Sequence, residues 1–130
     1  MQNTLLFIDN DLIYCEALES VLTRKGFQVA IAQDAKTGLE MTESLQPDAV
    51  ILDVALPDLD GWQTCSRLRA KSDVPIIFLT ALRAEENVVK GLNLGADGFI
   101  VKPVTADVLA ARIQAVLQRV KRSKIAGSNH

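Results

Sequence analysis

Four short apolar runs in this chain end on a residue that can do chemistry. Leu5 to Ile8 leads into Asp9, Asn10 and Asp11, Ala49 to Leu52 into Asp53, Pro75 to Leu79 into Thr80, and Gly98 to Val101 into Lys102. Carboxyl and amide oxygens around one point make a hard-cation site. Mg²⁺ suits such a set because it takes one or two carboxylates and keeps its waters. A carboxylate beside Mg²⁺, a hydroxyl and a lysine can attack a phosphoryl group, since cation and donors balance charge on the transferring oxygens. The product is an aspartyl-phosphate.

Each residue alone has a plainer reading. Asp9 can cap a helix, Thr80 can be a strand-end hydroxyl bonded locally, and Lys102 before Pro103 can be a solvated loop cation. What separates the readings is whether the intervening elements bring the groups together.

The stretch that organises the chain is DAVILDVALPDLDGW, from Asp48 to Trp62. A run apolar on both faces reads as a parallel strand covered by helices, and ligand sites in such sheets lie just beyond the carboxyl ends of the strands. Leu5 to Ile8, Phe27 to Ala32, Pro75 to Leu79 and Gly98 to Val101 complete five expected strands.

Helical periodicity follows each strand. Tyr14, Ala17, Leu18, Val21 and Leu22 share a face that ends at Gly26, and Asp34 caps a weaker helix through Ala35, Leu39, Thr42 and Leu45, closed by Pro47. Asp60, with Gln63 three residues on, starts the third, and Val88, Gly91 and Leu92 mark a fourth that stops at Gly95. Thr105 caps the last, where Val104 and Leu109 can form a hydrophobic staple and Leu109, Ile113, Val116, Leu117 and Val120 recur at helical spacing.

Five strand-helix repeats predict an α/β fold, a single doubly wound parallel sheet, because right-handed crossovers place helices on both faces. The expected strand order is 2-1-3-4-5, the flavodoxin-like arrangement, which sets the ends of strands 1 and 3 side by side. Asp9 and Asp53 then share one crevice. The domain is expected over residues 1–121. From Arg122 the pattern dissolves, so 122–130 reads as a frayed tail or the start of a linker to an output domain.

With 130 residues, 48% hydrophobic, 23% charged and a net charge of −2, the chain fits one ordinary globular domain, with no strongly basic surface for nucleic acid. No apolar stretch approaches the ~20 residues of a membrane span, and the start lacks a basic signal-peptide region. No membrane association is expected, and the location predicted is cytoplasmic. Cys15 and Cys65 lack metal or redox spacing and read as small buried hydrophobes. The predicted strand order places them on opposite faces of the sheet, which argues against a disulfide.

Residues 4 to 121 resemble the receiver domain of two-component response regulators. The carriers are FIDND, PDAVILDVALPDLDGW, PIIFLTA and GADGFIVKP, in that order. The resemblance implies that Asp53 accepts a phosphoryl group from a histidine kinase and that Thr80 and Lys102 contact the phosphoryl oxygens. It also implies that Asp9, Asn10, Asp53 and the backbone carbonyl of Ala55 hold Mg²⁺, and that Thr80 and Phe99 act as switch residues. Such a protein is not an enzyme beyond catalysing its own phosphoryl transfer and dephosphorylation.

The chain departs from that family where Asn10 replaces a usual acid. One negative charge fewer at ~4 Å from a divalent ion is worth a few kcal/mol at an effective dielectric near 20, so weaker Mg²⁺ binding is expected. Asp11 is the candidate to compensate. The C-terminal half, through GLNLGAD and VLAARIQAVLQR, is most similar to receivers that precede winged-helix DNA-binding domains. That similarity implies a homodimer through the face of helix 4, strand 5 and helix 5, and DNA contact only through an output domain not in this chain. Lys90, Asp97 and Arg112 match the charge pattern of that face. Gly98 and Val108 stand where acids are usual, and Val104 replaces a common Phe. Arg119, Lys121, Arg122 and Lys124 complement the dipole of the last helix.

Two other functions compete. A haloacid-dehalogenase-type phosphatase would use Asp9-Asn10-Asp11 as its nucleophile motif, although Ile13 sits where that motif usually carries Thr. A receiver-like module that signals without phosphorylation is motivated by Asn10. Flavin or dinucleotide binding is disfavoured, because an acidic loop after strand 1 repels phosphate.

Overall fold

The computed structural model describes residues 2–128, so Met1, Asn129 and His130 lie outside the described residues. Strands β1 (Thr4–Ile8), β2 (Gln28–Ala32), β3 (Ala49–Leu52), β4 (Ile76–Thr80) and β5 (Gly98–Val101) alternate with helices α1 (Leu12–Arg24), α2 (Ala35–Leu45), α3 (Gly61–Lys71), α4 (Glu85–Asn93) and α5 (Ala106–Ser128). The strands form one parallel sheet in the order β2-β1-β3-β4-β5, as the repeat pattern predicts.

Side chains alternate across the sheet with a period of two, so each central strand feeds two cores. Leu5, Phe7, Ile51, Ile77 and Leu79 face α1 and α5, where they pack with Cys15, Leu18, Leu109 and Ile113. Leu6, Ile8, Val50, Leu52, Ile76 and Phe78 face the other way and pack with Cys65 and Leu68 of α3. The two cysteines are buried and free on opposite faces of the sheet.

Local chemistry sets the helix starts. Asp34, Asp60 and Thr105 cap α2, α3 and α5, accepting from the N–H groups of Thr37, Gln63 and Val108. At α1 the cap is Asp11, which accepts from Tyr14 N–H at 3.1 Å, and this frees Asp9 from the capping role that its position allowed. Gly26 and Gly95, at φ 99° and 100°, supply the left-handed turns after α1 and α4.

Two expectations are corrected. The buried stripe of α2 is Ala35, Gly38 and Thr42, while Leu45 is exposed. A glycine at position 38 lets the helix settle directly on Ile8, and this rotates the stripe away from Leu45. The frayed tail expected from Arg122 is helical instead, because α5 continues to Ser128. Apolar periodicity does stop there, but no proline interrupts the chain and Lys, Arg and Ala are good helix formers. α5 thus runs without a break across Lys121 and Arg122.

Candidate functional site

Ile8 of β1 pairs with Leu52 of β3, so the residues that follow them, Asp9 and Asp53, emerge at adjacent strand ends. The Asp53 N–H bonds to the Ile8 carbonyl at 3.0 Å, and the Asp9 N–H to the Ala32 carbonyl at 2.9 Å. Both backbones are thus pinned to the sheet before their side chains leave it. Thr80 closes β4, and Lys102 N–H bonds to the Thr80 carbonyl at 2.8 Å. Lys102 starts at the far edge of the sheet, yet its long side chain reaches back across β4. Its Nζ lies 2.8 Å from Asp9 Oδ2 and 3.0 Å from Asp53 Oδ2.

The remaining carboxylate oxygens have partners as well. Asp9 Oδ1 accepts from the Asp11 N–H at 2.9 Å, and Asp53 Oδ1 from the Val54 N–H at 2.7 Å. Asp9, Asp53 and Thr80 are buried. The Thr80 hydroxyl accepts from the Leu82 N–H at 3.4 Å and retains its own proton for donation.

Two carboxylates against one ammonium leave an excess of negative charge in a sheltered place. Burial is the main influence on Asp9 and lifts its pKa above the ordinary carboxylate value. The nearby Asp53 charge adds to that rise, while Lys102 and the Asp11 N–H oppose it. Burial works against charge on Lys102 too, but its hydrogen bonds to Asp9 and Asp53 outweigh this and hold its pKa above that of a free lysine.

Among the described residues no group of three or more His, Cys, Asp and Glu side chains is placed to hold a metal ion. Mg²⁺ does not need three, since one or two carboxylates with water suffice. Two carboxylates that share a single counter-charge fit it, with the exposed Asn10 and the exposed Ala55 beside them to offer an amide oxygen and a backbone carbonyl. Asp11, the candidate to compensate for Asn10, uses its Oδ1 to cap α1.

Three contributors were not singled out for this site from the sequence. Gly61 opens α3 against the backbone of the loop after Asp53, where its N–H bonds to the Val54 carbonyl at 2.9 Å and a Cβ would collide with the Asp53 carbonyl oxygen. The Gly-Trp pair after Asp60 was the only visible signal. Asp58 reaches from the same loop to the start of α2, accepting from Ala35 and Lys36 N–H at 2.8 and 2.9 Å, and these bonds lower its pKa. Tyr14 places its ring against the Lys102 ammonium, with 4.8 Å from Nζ to the ring centroid. Nothing in the sequence spacing signals either contact.

Phe99 lies outside the ionic cluster. It stacks on Trp62 with centroids 6.5 Å apart and tilts against Phe78 at 5.8 Å, beneath a tight approach of Gly91. Lys90 Nζ sits 5.0 Å over the Trp62 ring. Asp97 spends its carboxylate inside the chain, where Oδ2 accepts from Arg69 at 2.9 Å and from the Ile76 N–H at 2.9 Å. Arg112 is exposed on α5. The three residues expected on the dimer face thus differ in how free their charges are.

A parallel sheet in this order, with two acids and a lysine gathered at its carboxyl edge, is the architecture that the resemblance implies. The chain belongs to the response regulator receiver domain family, which matches residues 5–114. Among curated relatives it is 46% identical over 119 residues to the transcriptional regulatory protein AfsQ1 of Streptomyces coelicolor, covering 92% of this chain and 53% of that protein. The chain spans about half the length of the curated relatives it matches. Among solved structures, a two-component response regulator from Clostridium difficile superposes with a TM-score of 0.87 at 29% identity, covering 92% of this chain and 98% of the other. The BeF3-activated N-terminal receiver domain of Klebsiella pneumoniae RstA gives 0.85 at 30% identity, covering 88% and 98%. The chain is a receiver domain of a two-component response regulator, and its curated relatives include transcriptional regulators. Among the described residues no helix is long and apolar enough to cross a membrane.

Proposed function

We propose that Asp53 accepts a phosphoryl group from a partner histidine kinase, with Mg²⁺, and that this modification controls an output. The observation that carries the reading is the Lys102 ammonium shared between Asp53 and Asp9 at adjacent strand ends. An Asp53 carboxylate oxygen forms its bond to phosphorus as the bond from phosphorus to the donor histidine nitrogen breaks. Lys102 turns from Asp53 Oδ2 to follow the charge onto the phosphoryl oxygens, and the Thr80 hydroxyl donates to another of them. Mg²⁺, when held by Asp9, Asp53, the Asn10 side chain and the Ala55 carbonyl, supplies positive charge to those oxygens. The protein acts as a signalling switch and not as an enzyme with an external turnover.

The output runs through α4, β5 and α5. Thr80 and Phe99 change position with the phosphoryl group, and the face bearing Lys90, Asp97 and Arg112 then dimerises or engages an output partner. The curated relatives' names support transcription control; on this reading the control is exerted in the cytoplasm, with DNA bound by an output domain outside this chain. Light scattering is expected to show a dimer with beryllofluoride bound, and an unchanged monomer overturns that part.

Intact-mass measurement after incubation with acetyl phosphate and Mg²⁺ tests the acceptor directly. Wild type is expected to gain one phosphoryl group and Asp53→Asn none. A wild type that stays unmodified favours the second reading, signalling without phosphorylation. Its support is Asn10, an amide at the position beside Asp9 where the family usually carries an acid. The phosphatase reading has no such support, since Asp9 is the more deeply buried of the two acids.

A further inference from the structure

Tyr14 touches the Lys102 segment twice. Its ring carries the Lys102 ammonium at 4.8 Å from the centroid, and its hydroxyl accepts the N–H of Val104 at 3.1 Å. The contacts fall on either side of Pro103, so one side chain from α1 grips both the charged tip of Lys102 and the backbone two residues on. Tyr14 is itself fixed, with its backbone N–H bonded to Asp11 and its ring packed against the core cluster beneath α1 and α5.

We infer that Tyr14 is a positioning residue for Lys102, holding the ammonium at the crevice between Asp9 and Asp53. A lysine side chain is flexible, and two carboxylates on one side of the ammonium do not by themselves fix its place. An aromatic face adds a further attraction to the cation without competing for either carboxylate, because it is neutral. The ring contact can therefore persist while Lys102 exchanges a carboxylate oxygen for another acceptor. A tyrosine that served only as packing would be replaceable by any apolar side chain of similar length.

The test uses the Lys102 side-chain ammonium signal in the ¹⁵N spectrum, assigned by its loss in Lys102→Met. It compares wild type, Tyr14→Phe, which keeps the ring, and Tyr14→Leu and Tyr14→Met, which do not. Wild type and Tyr14→Phe are expected to show a slowly exchanging signal displaced by the ring current. In whichever ring-less variant retains the folded amide spectrum, the displacement should vanish and exchange with water should quicken several-fold. A ring-less, folded variant with an unchanged ammonium signal overturns the inference.

A second arm, which rests on Asp53 being the acceptor, measures labelling by acetyl phosphate at saturating Mg²⁺. Tyr14→Phe should label within about twofold of wild type, and the ring-less variants roughly 3- to 30-fold more slowly at equal Mg²⁺ affinity. Equal rates in all the proteins overturn the inference. If wild type fails to label, the acceptor reading fails alone, and the ammonium signal still decides the role of Tyr14.

Discussion

Lys102 Nζ stands 2.8 Å from Asp9 Oδ2 and 3.0 Å from Asp53 Oδ2, so a lysine from one edge of the sheet is the shared counter-ion of two acids from its centre. The arrangement sets two carboxylates against one ammonium, and the predictions for stability and for the proposed Mg²⁺ binding follow from that.

Asp9→Asn is expected to stabilise the protein while weakening Mg²⁺ binding. Burial is the leading cause of the raised Asp9 pKa, so the folded state binds this proton more tightly than the unfolded chain does. A group shifted in that direction lowers stability as pH rises from the ordinary value of 3.8 through its folded value, and the cost persists at pH 7. Removing the charge should raise the melting temperature at pH 7 by a few degrees, with the gap narrowing toward pH 4. Melting curves across that range, beside calorimetric Mg²⁺ titration, check both halves. A lower melting temperature at pH 7 contradicts the charge argument.

Lys102 titrates with the opposite consequence. Burial opposes its charge, but hydrogen bonds to Asp9 and Asp53 prevail and raise its pKa above 10.5. Its stabilising contribution is therefore complete below that value and is lost as pH rises through the folded pKa. Lys102→Met should be less stable than wild type at pH 8, and the difference should shrink as pH passes 10.5. Denaturant midpoints at several pH values measure this, and a difference independent of pH would assign the effect to packing.

Gly61→Ala should disable the acceptor without touching a charged group. A Cβ at this position stands 2.6 Å from Val54 Cα and collides with the Asp53 carbonyl oxygen, and neither backbone group can rotate aside. Overpacking of this kind costs about 1–3 kcal/mol, and here the strain falls on Asp53, the proposed acceptor. Loss of stability together with loss of Asp53 labelling is the expected result. Normal labelling would mean that the loop has slack.

The fold was legible because its signals are repeated and local. Five apolar runs, each followed by a helix, leave few topologies open, and the deliveries of Asp9, Asp53, Thr80 and Lys102 at strand ends follow from that order. What the sequence concealed depends on three-dimensional reach. Tyr14 and Lys102 meet across elements far apart in the chain, and Asp58 ties the loop after Asp53 to α2, neither contact having a periodicity to betray it. Asp97 matched a surface charge pattern, yet its carboxylate turns inward to Arg69 and the Ile76 N–H. The end of α5 was missed for a different reason: helix propensity outlasts apolar periodicity past Arg122.

Asn10→Asp is expected to raise Mg²⁺ affinity by about tenfold or more. Position 10 is exposed and immediately follows Asp9, so an added carboxylate joins the two buried acids without a large burial cost of its own. Asp11 has one carboxylate oxygen, Oδ1, bonded to the Tyr14 N–H as the cap of α1. The added charge would also make Lys102 a poorer match for the cluster and favour a divalent ion. Calorimetric titration of both proteins with Mg²⁺ at pH 7 and fixed ionic strength decides the point. Equal affinities would mean that Asn10 already coordinates as well as a carboxylate, and that the weakness ascribed to this site does not exist.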